Sequence, residues 1–252
     1  IAVRGGVANA RRVALLSNHS AGLLAALPES EVVVEDLLVR ESVPVARVGG
    51  FGITLDRGAI LRGSRIAVER CHGVGVFAGE ESRLEVDDLR VEGTSSWEGV
   101  GRFGRGVEAQ AGAEAVLRRV LLDGNRDIGL LVLGSETSVQ ASATVVQDTE
   151  RAACATDGCG HAGGYGVSVR GGLLRMEDFV LEAGALCGAQ LGADGTLELR
   201  NGRVVGHPIG LNVQNPSFDP AQQLVEVAFE GNERNLDAAS LPLPEPIPST
   251  NE

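Results

Sequence analysis

A four-residue phrase, glycine–apolar–any–apolar, recurs along nearly the whole chain. It stands at Gly22-Leu23-Leu24-Ala25, Gly52-Ile53-Thr54-Leu55, Gly73-Val74-Gly75-Val76 and Gly106-Val107-Glu108-Ala109, and again at Gly129-Leu130-Leu131-Val132, Gly166-Val167-Ser168-Val169, Gly188-Ala189-Gln190-Leu191 and Gly210-Leu211-Asn212-Val213. Successive glycines are 30, 21, 33, 23, 37, 22 and 22 residues apart. A floor near 22 residues, with three longer steps, is the mark of a repeat architecture.

The phrase alternates, so its two apolar residues face one side and the residue between them the other. About twelve residues later each unit carries a second alternating run, such as Ile66-Ala67-Val68, Leu89-Arg90-Val91 or Phe179-Val180-Leu181. Glycine or asparagine then precedes the next phrase, as in Asp123-Gly124-Asn125. No unit has room for a long helix. Short strands closed by tight turns within about 22 residues describe one coil of a parallel β-helix, whose stacked coils bury a continuous interior. A leucine-rich repeat has a similar period, but its Leu-x-x-Leu-x-Leu-x-x-Asn run is missing. With these residues the chain resembles right-handed parallel β-helix proteins of the pectin-lyase-like kind over residues 1–238. That resemblance implies an all-β, single-stranded right-handed solenoid of about nine coils. Asn18 and Asn125, each four residues before a repeat glycine, suggest a turn ladder, broken where Glu69, Gly184 and Gly206 hold the same place.

Residues 239–252 differ from the rest. The run Leu241-Pro-Leu-Pro-Glu-Pro-Ile-Pro248 offers few amide donors to a β-ladder and reads as an extended linker or a stop at the open edge. No cap over the first coil is legible, and the chain is expected to be a mature or excised part of something longer.

The 252 residues hold 34 acidic and 22 basic side chains, a net charge of −12, and every basic residue is arginine. This composition argues against a nucleic-acid partner, which needs clustered positive charge, and against an anionic membrane surface. A mechanism with a lysine base is excluded. No run of eighteen apolar residues exists, so no membrane insertion is expected. Cys154 and Cys159 bracket a turn-rich loop and are expected to form a disulfide rather than a metal pair, for which only His161 is close. A disulfide implies export to the cell surface or beyond. Cys71 and Cys187 read as small buried apolar residues. No cofactor or metal is implied.

The three long steps place extra residues near 41–51, 93–105 and 148–165, always just before the phrase. Stacking brings these loops to one edge, where function on a rigid scaffold usually sits. They hold Phe51, Trp97, Phe103 and Tyr165 in a chain of only eight aromatics, together with Arg102 and His161. Such rings either stack on sugar or plug the loops onto the flank. Beside them the outward positions of the phrase carry Glu108, Gln110, Ser168, Arg170, Gln190, Asn212 and Gln214. This row either lines a shallow groove for a linear glycan or is an ordinary solvated face, and Leu131 and Leu133 interrupt it.

Asp87-Asp88 is the one paired Asp, and neighbours on a strand face opposite sides. The hydrolases of the resembled architecture carry Gly-His-Gly and Arg-x-Lys elements; here Gly206-His207-Pro208 stands and lysine is missing. Asp56 with Arg57, and Glu108 and Asp127 with Arg126, are the groups that stacking would have to bring together. The resulting expectation is an exported bacterial surface β-helix, non-catalytic, that binds a polysaccharide or a surface protein through its loop-bearing edge. The alternatives are a lyase or hydrolase acting on an acidic polysaccharide, and a structural spacer or filament subunit.

Overall fold

The computed structural model describes residues 1–45, 48–97, 101–152 and 163–247. Within them the chain winds as a right-handed parallel β-helix of nine coils. From the third coil to the eighth, each turn has a short strand and a ten-residue long strand. The short strands include Phe51–Asp56, Val74–Ala78, Arg105–Gln110, Ile128–Leu133, Tyr165–Arg170, Cys187–Leu191 and Ile209–Val213. The long strands include Ile60–Glu69, Arg83–Glu92, Glu114–Asp123, Ser138–Gln147, Leu173–Glu182 and Thr196–Val205. In the first coils the two run together, as Ala2–Leu16 and Ala21–Arg40. Leu224–Glu230 and Arg234–Asp237 complete the last turn. Each strand pairs in parallel with its equivalents in the coils before and after.

The recurring glycine has a direct steric cause. A Cβ on Gly52 would lie 2.5 Å from the carbonyl oxygen of Gly75, one on Gly129 2.6 Å from that of Gly166, and one on Gly188 2.7 Å from that of Gly210. Each glycine makes room for the backbone of the next coil. The register also corrects one phrase: Ile53 pairs with Val76 and Val76 with Val107, so the stacking glycine of that coil is Gly75, not Gly73.

Two corners are turned by left-handed residues, one per coil. The long strand bends at Arg12, Asp36, Arg65, Asp88, Arg119, Ala143, Asp178, Asn201 and Glu226, with φ between 48° and 59°. It ends at Ser17, Glu41, Arg70, Gly93, Gly124, Asp148, Ala183, Gly206 and Gly231, also at positive φ. A non-glycine residue there costs about 1–2 kcal/mol, offset by pairing along the stack. At the bend the charges alternate over the first five coils. Arg65 Nε meets Asp36 at 2.5 Å, and Arg119 holds Asp88 with two bonds of 2.6 and 3.0 Å.

The turn ladder stands one residue beyond the second corner. Asn18, Ser42, Cys71, Thr94, Asn125, Thr149, Gly184, His207 and Asn232 occupy it; Glu69 and Gly206 do not. Asn125 accepts from the Thr94 amide at 3.1 Å and donates to the Val91 carbonyl at 3.1 Å. Asn232 does the same with His207 and Val204. His207 copies them with a ring: Nδ1 accepts from Gly184 N–H at 2.9 Å, and Nε2 reaches the Leu181 carbonyl at 3.0 Å. Burial holds this imidazole below the usual histidine range. Cys71 and Cys187 are free and buried.

The tail is not a detached linker. Residues 239–247 turn back and lie along the flank formed by the short strands. No helix among the described residues is long and apolar enough to cross a membrane.

Candidate functional site

Most of the outward row of the short strands is buried, while Arg170 stays exposed and Gln214 partly so. Glu108, Ser168, Gln190 and Asn212 have no exposed surface, and Gln110 has 8 %. The tail covers them. Asn212 Nδ2 donates to the Ala239 carbonyl at 2.9 Å, and Gln214 Nε2 to that of Leu241 at 3.0 Å. Gln190 Nε2 and the Tyr165 hydroxyl share the Pro242 carbonyl at 3.0 and 3.1 Å. Arg170 Nη1 donates to the Pro244 carbonyl at 3.3 Å, and Arg105 Nη2 to that of Glu245 at 2.7 Å. Gln110 Nε2 donates to the Ile247 carbonyl at 3.2 Å. The tail therefore runs antiparallel to the growth of the solenoid, its hydrogen bonds leading from the ninth coil back to the fifth. Every one of these contacts reads a backbone carbonyl. The alternating prolines supply acceptors without buried amides that would need partners.

Two apolar patches anchor the tail. Ile247 packs with Val74, Phe77, Trp97, Phe103 and Phe51. Leu241 packs with Ile128, Leu131, Leu133, Tyr165, Cys187 and Ile209. The leucines that interrupt the polar row are thus the seat of Leu241. The rings of the loops pack on one another: Trp97 and Phe103 centroids are 4.5 Å apart, Phe51 and Trp97 6.1 Å. Trp97 Nε1 donates to the Gly49 carbonyl at 2.7 Å. Trp97, Phe103 and Tyr165 are each at least 93 % buried, so none presents a face to a sugar in this closed state. Arg102, at the loop surface, pairs with Glu245 of the tail at 2.7 Å. His161, Cys154 and Cys159 lie outside the described residues.

Beneath the tail sits a buried charge cluster. Arg105 Nη1 meets Glu108 Oε1 at 2.8 Å and its Nε meets Asp127 Oδ2 at 3.2 Å, while its guanidinium lies 4.7 Å over the Phe103 ring. Arg126, expected beside Asp127, pairs with Glu150 at 2.9 Å instead. Arg105 escaped sequence reasoning because it precedes the repeat glycine, a position held elsewhere by Phe51, Val74, Ile128 and Tyr165. Burial pushes Glu108 above the usual carboxylate range, opposed by Arg105. Its Oε2 has no hydrogen-bond partner among the described residues. A pocket with about 30 Å³ open to a water-sized sphere, enough for one or two waters, adjoins Arg105, Asp127, Tyr165 and Pro244. Asp87 and Asp88 take no part in this cluster: both face solvent at the bend and pair with Arg118 and Arg119. Asp56 and Arg57 stay together at 3.8 Å, with Glu80 alongside. Groups of three or more metal-binding side chains do not occur among the described residues.

Fold and flank together define a right-handed parallel β-helix closed along one side by its own tail. No protein-family model matches the sequence, and no curated protein does. Among solved structures the chain is similar to the A-module of the Azotobacter vinelandii mannuronan C-5 epimerase, at 9 % identity over 94 % of this chain and 88 % of that one, with a TM-score of 0.36. It is also similar to the catalytic domain of a GH87 α-1,3-glucanase in complex with nigerose, at 10 % identity over 95 % of this chain and 64 % of that one, with a TM-score of 0.28.

Proposed function

We propose that this protein is a non-catalytic recognition module, exported to a bacterial cell surface, that binds an extended chain along the short-strand flank. One observation supports the reading above all: Arg105, Gln110, Tyr165, Arg170, Gln190, Asn212 and Gln214 all donate to backbone carbonyls of the tail. A face lined with donors suits a ligand rich in acceptors. Of glycan and protein, an extended protein segment has the better support, because the present occupant is a peptide and the rings expected as sugar platforms are spent on packing. Recognition of an extended proline-rich segment uses a preformed backbone with little entropy to lose. Export rests on the expected Cys154–Cys159 bridge.

The test displaces the tail without touching the flank. In the Leu241→Asp, Ile247→Asp double variant, both tail anchors become charged. A labelled peptide of residues 239–248 is then expected to bind the variant and not the unaltered chain. A variant with a demonstrably released tail that binds neither this peptide nor any of a panel of acidic and neutral polysaccharides would sink the proposal.

The second reading is a polysaccharide lyase or hydrolase. Its support is the pair of carboxyls around Arg105, with Glu108 pushed upward as a general acid requires. Incubating the same variant with the polysaccharide panel, and assaying new reducing ends and unsaturated products, separates the two. Cleavage that Glu108→Gln abolishes would establish the enzyme.

A further inference from the structure

The donors on the flank keep a period of their own. In register, one column runs Gln110, Leu133, Arg170, Gly192 and Gln214 over the fifth to the ninth coil. Only the fifth, seventh and ninth coils put a side-chain donor there. Those three donors take the carbonyls of Ile247, Pro244 and Leu241, three residues apart each time. A second column, Arg105, Ile128, Tyr165, Cys187 and Ile209, holds its tail donors on the fifth and seventh coils. Arg105 takes the Glu245 carbonyl and Tyr165 that of Pro242, again three residues apart. Asn212 of the ninth coil, in the column between, continues this series at Ala239, and Gln190 of the eighth joins Tyr165 on Pro242.

Three residues of tail are thus matched to two coils. Neighbouring strands lie about 4.8 Å apart, so two coils advance about 9.6 Å. A polyproline II helix rises about 3.1 Å per residue and repeats its face every three residues, an advance of about 9.3 Å. A β-strand would not serve, since residues three apart on it face opposite sides. Prolines at 242, 244 and 246 favour the backbone that fits. The same period places the side chains. Leu241 and Ile247, six residues apart, fill the two apolar seats, and Glu245 between them reaches Arg102 at 2.7 Å.

We propose that the flank selects its ligand by the polyproline II period, three residues to two coils. Its partner is a proline-rich segment of another protein with apolar residues at i and i+6 and an acidic residue at i+4. That segment runs against the growth of the solenoid. The tail carries the same pattern and holds the flank as an internal copy of the ligand. The inference rests on the flank being a peptide-binding face, as proposed above, and adds the period, the spacing and the direction.

Fluorescence anisotropy with labelled peptides tests it, on the Leu241→Asp, Ile247→Asp chain checked for folding by circular dichroism. The peptide of residues 239–248 is the reference. One extra proline between Pro244 and Glu245 turns everything beyond it by a third of a turn. It is expected to weaken binding at least about tenfold, through loss of one anchor and its hydrogen bonds. The reference sequence written in reverse is expected to bind as weakly. Glu245→Arg in the peptide is expected to weaken binding about threefold, and Arg102→Glu in the protein to restore it. If the reference binds and the inserted or reversed peptide binds equally well, the inference is overturned and the peptide-binding reading stands. If the reference does not bind, both fail. The same proline insertion in the tail of the otherwise unaltered chain needs no released tail. Hydrogen exchange at Ile247 is then expected to accelerate at least about tenfold, with the long strands unchanged; an unaltered rate at Ile247 would also overturn the inference.

Discussion

Gln110 and Ile247 exchange two hydrogen bonds across 137 residues of sequence: the glutamine Nε2 donates to the isoleucine carbonyl at 3.2 Å, and its Oε1 accepts from the isoleucine amide at 3.3 Å. A side-chain amide thus pairs with a peptide group as another strand would. The Ile247 side chain is meanwhile held among Trp97, Phe103 and Phe77.

Gln110→Ala removes both bonds and leaves a peptide group to find water. The cost is about 1–2 kcal/mol, confined to the tail. Hydrogen exchange of residues 243–247 is expected to accelerate at least about fivefold, with the exchange of the long strands unchanged.

Arg105→Met leaves Glu108 and Asp127 buried side by side without their cation. Breaking such a buried ionic cluster costs about 3–5 kcal/mol. Urea unfolding is expected to show that loss, and the triple variant Arg105→Met, Glu108→Gln, Asp127→Asn is expected to recover most of it. An Arg105→Met chain of unaltered stability would mean that the cluster is hydrated, not buried.

His207 accepts an amide proton on Nδ1, so protonation sets two donors against each other. Its folded pKa is lowered, and the unfolded ring takes up a proton first as the pH falls below about 6.5. Stability from this residue is therefore complete above that pH and declines on acidification, by up to about 1.4 kcal/mol per pH unit. His207→Asn keeps the ladder and is expected to lie within about 1 kcal/mol of the unaltered chain at pH 7, without that part of the acid slope. His207→Ala is expected to cost about 1–3 kcal/mol. Unfolding titrations of the three chains between pH 5 and 7 decide it.

Gly129→Ala places a methyl 2.6 Å from the Gly166 carbonyl and 2.3 Å from Val146 Cγ1. The backbone of the next coil has nowhere to move, and a loss of about 2–3 kcal/mol is expected in thermal unfolding. Gly124 has φ 57° and nothing within 4 Å of the place a Cβ would take, so Gly124→Asn is expected to be close to neutral.

The architecture is legible because one steric demand, room for the next coil's carbonyl, writes a glycine at Gly22, Gly52, Gly106, Gly129 and onward. The bend that shapes each long strand leaves no comparable trace: Arg65, Asp88, Ala143 and Asn201 all serve it, since its cost is met by stacking and not by residue type. The ladder beyond the second corner is obscured in the same way, with Cys71 and Thr94 standing in it and His207 doing the work of asparagine. The donors Gln110, Gln190 and Asn212 can be seen as a row. What the row holds cannot, because the occupant is specified by no local pattern; it depends on donors in successive coils meeting one proline-spaced segment. Arg105 stands where neighbouring coils have apolar residues, and only the buried Glu108 and Asp127 give it a reason to be there.

The returning tail also changes how such a stack comes apart. A solenoid whose coils touch only their neighbours unravels by increments from either end. Here the terminal segment is lashed, through Ile247, as far back as the coil of Val74, so the six coils from there to the last cannot be peeled singly; they must let go as one cooperative block, while the three coils before Val74 remain free to fray.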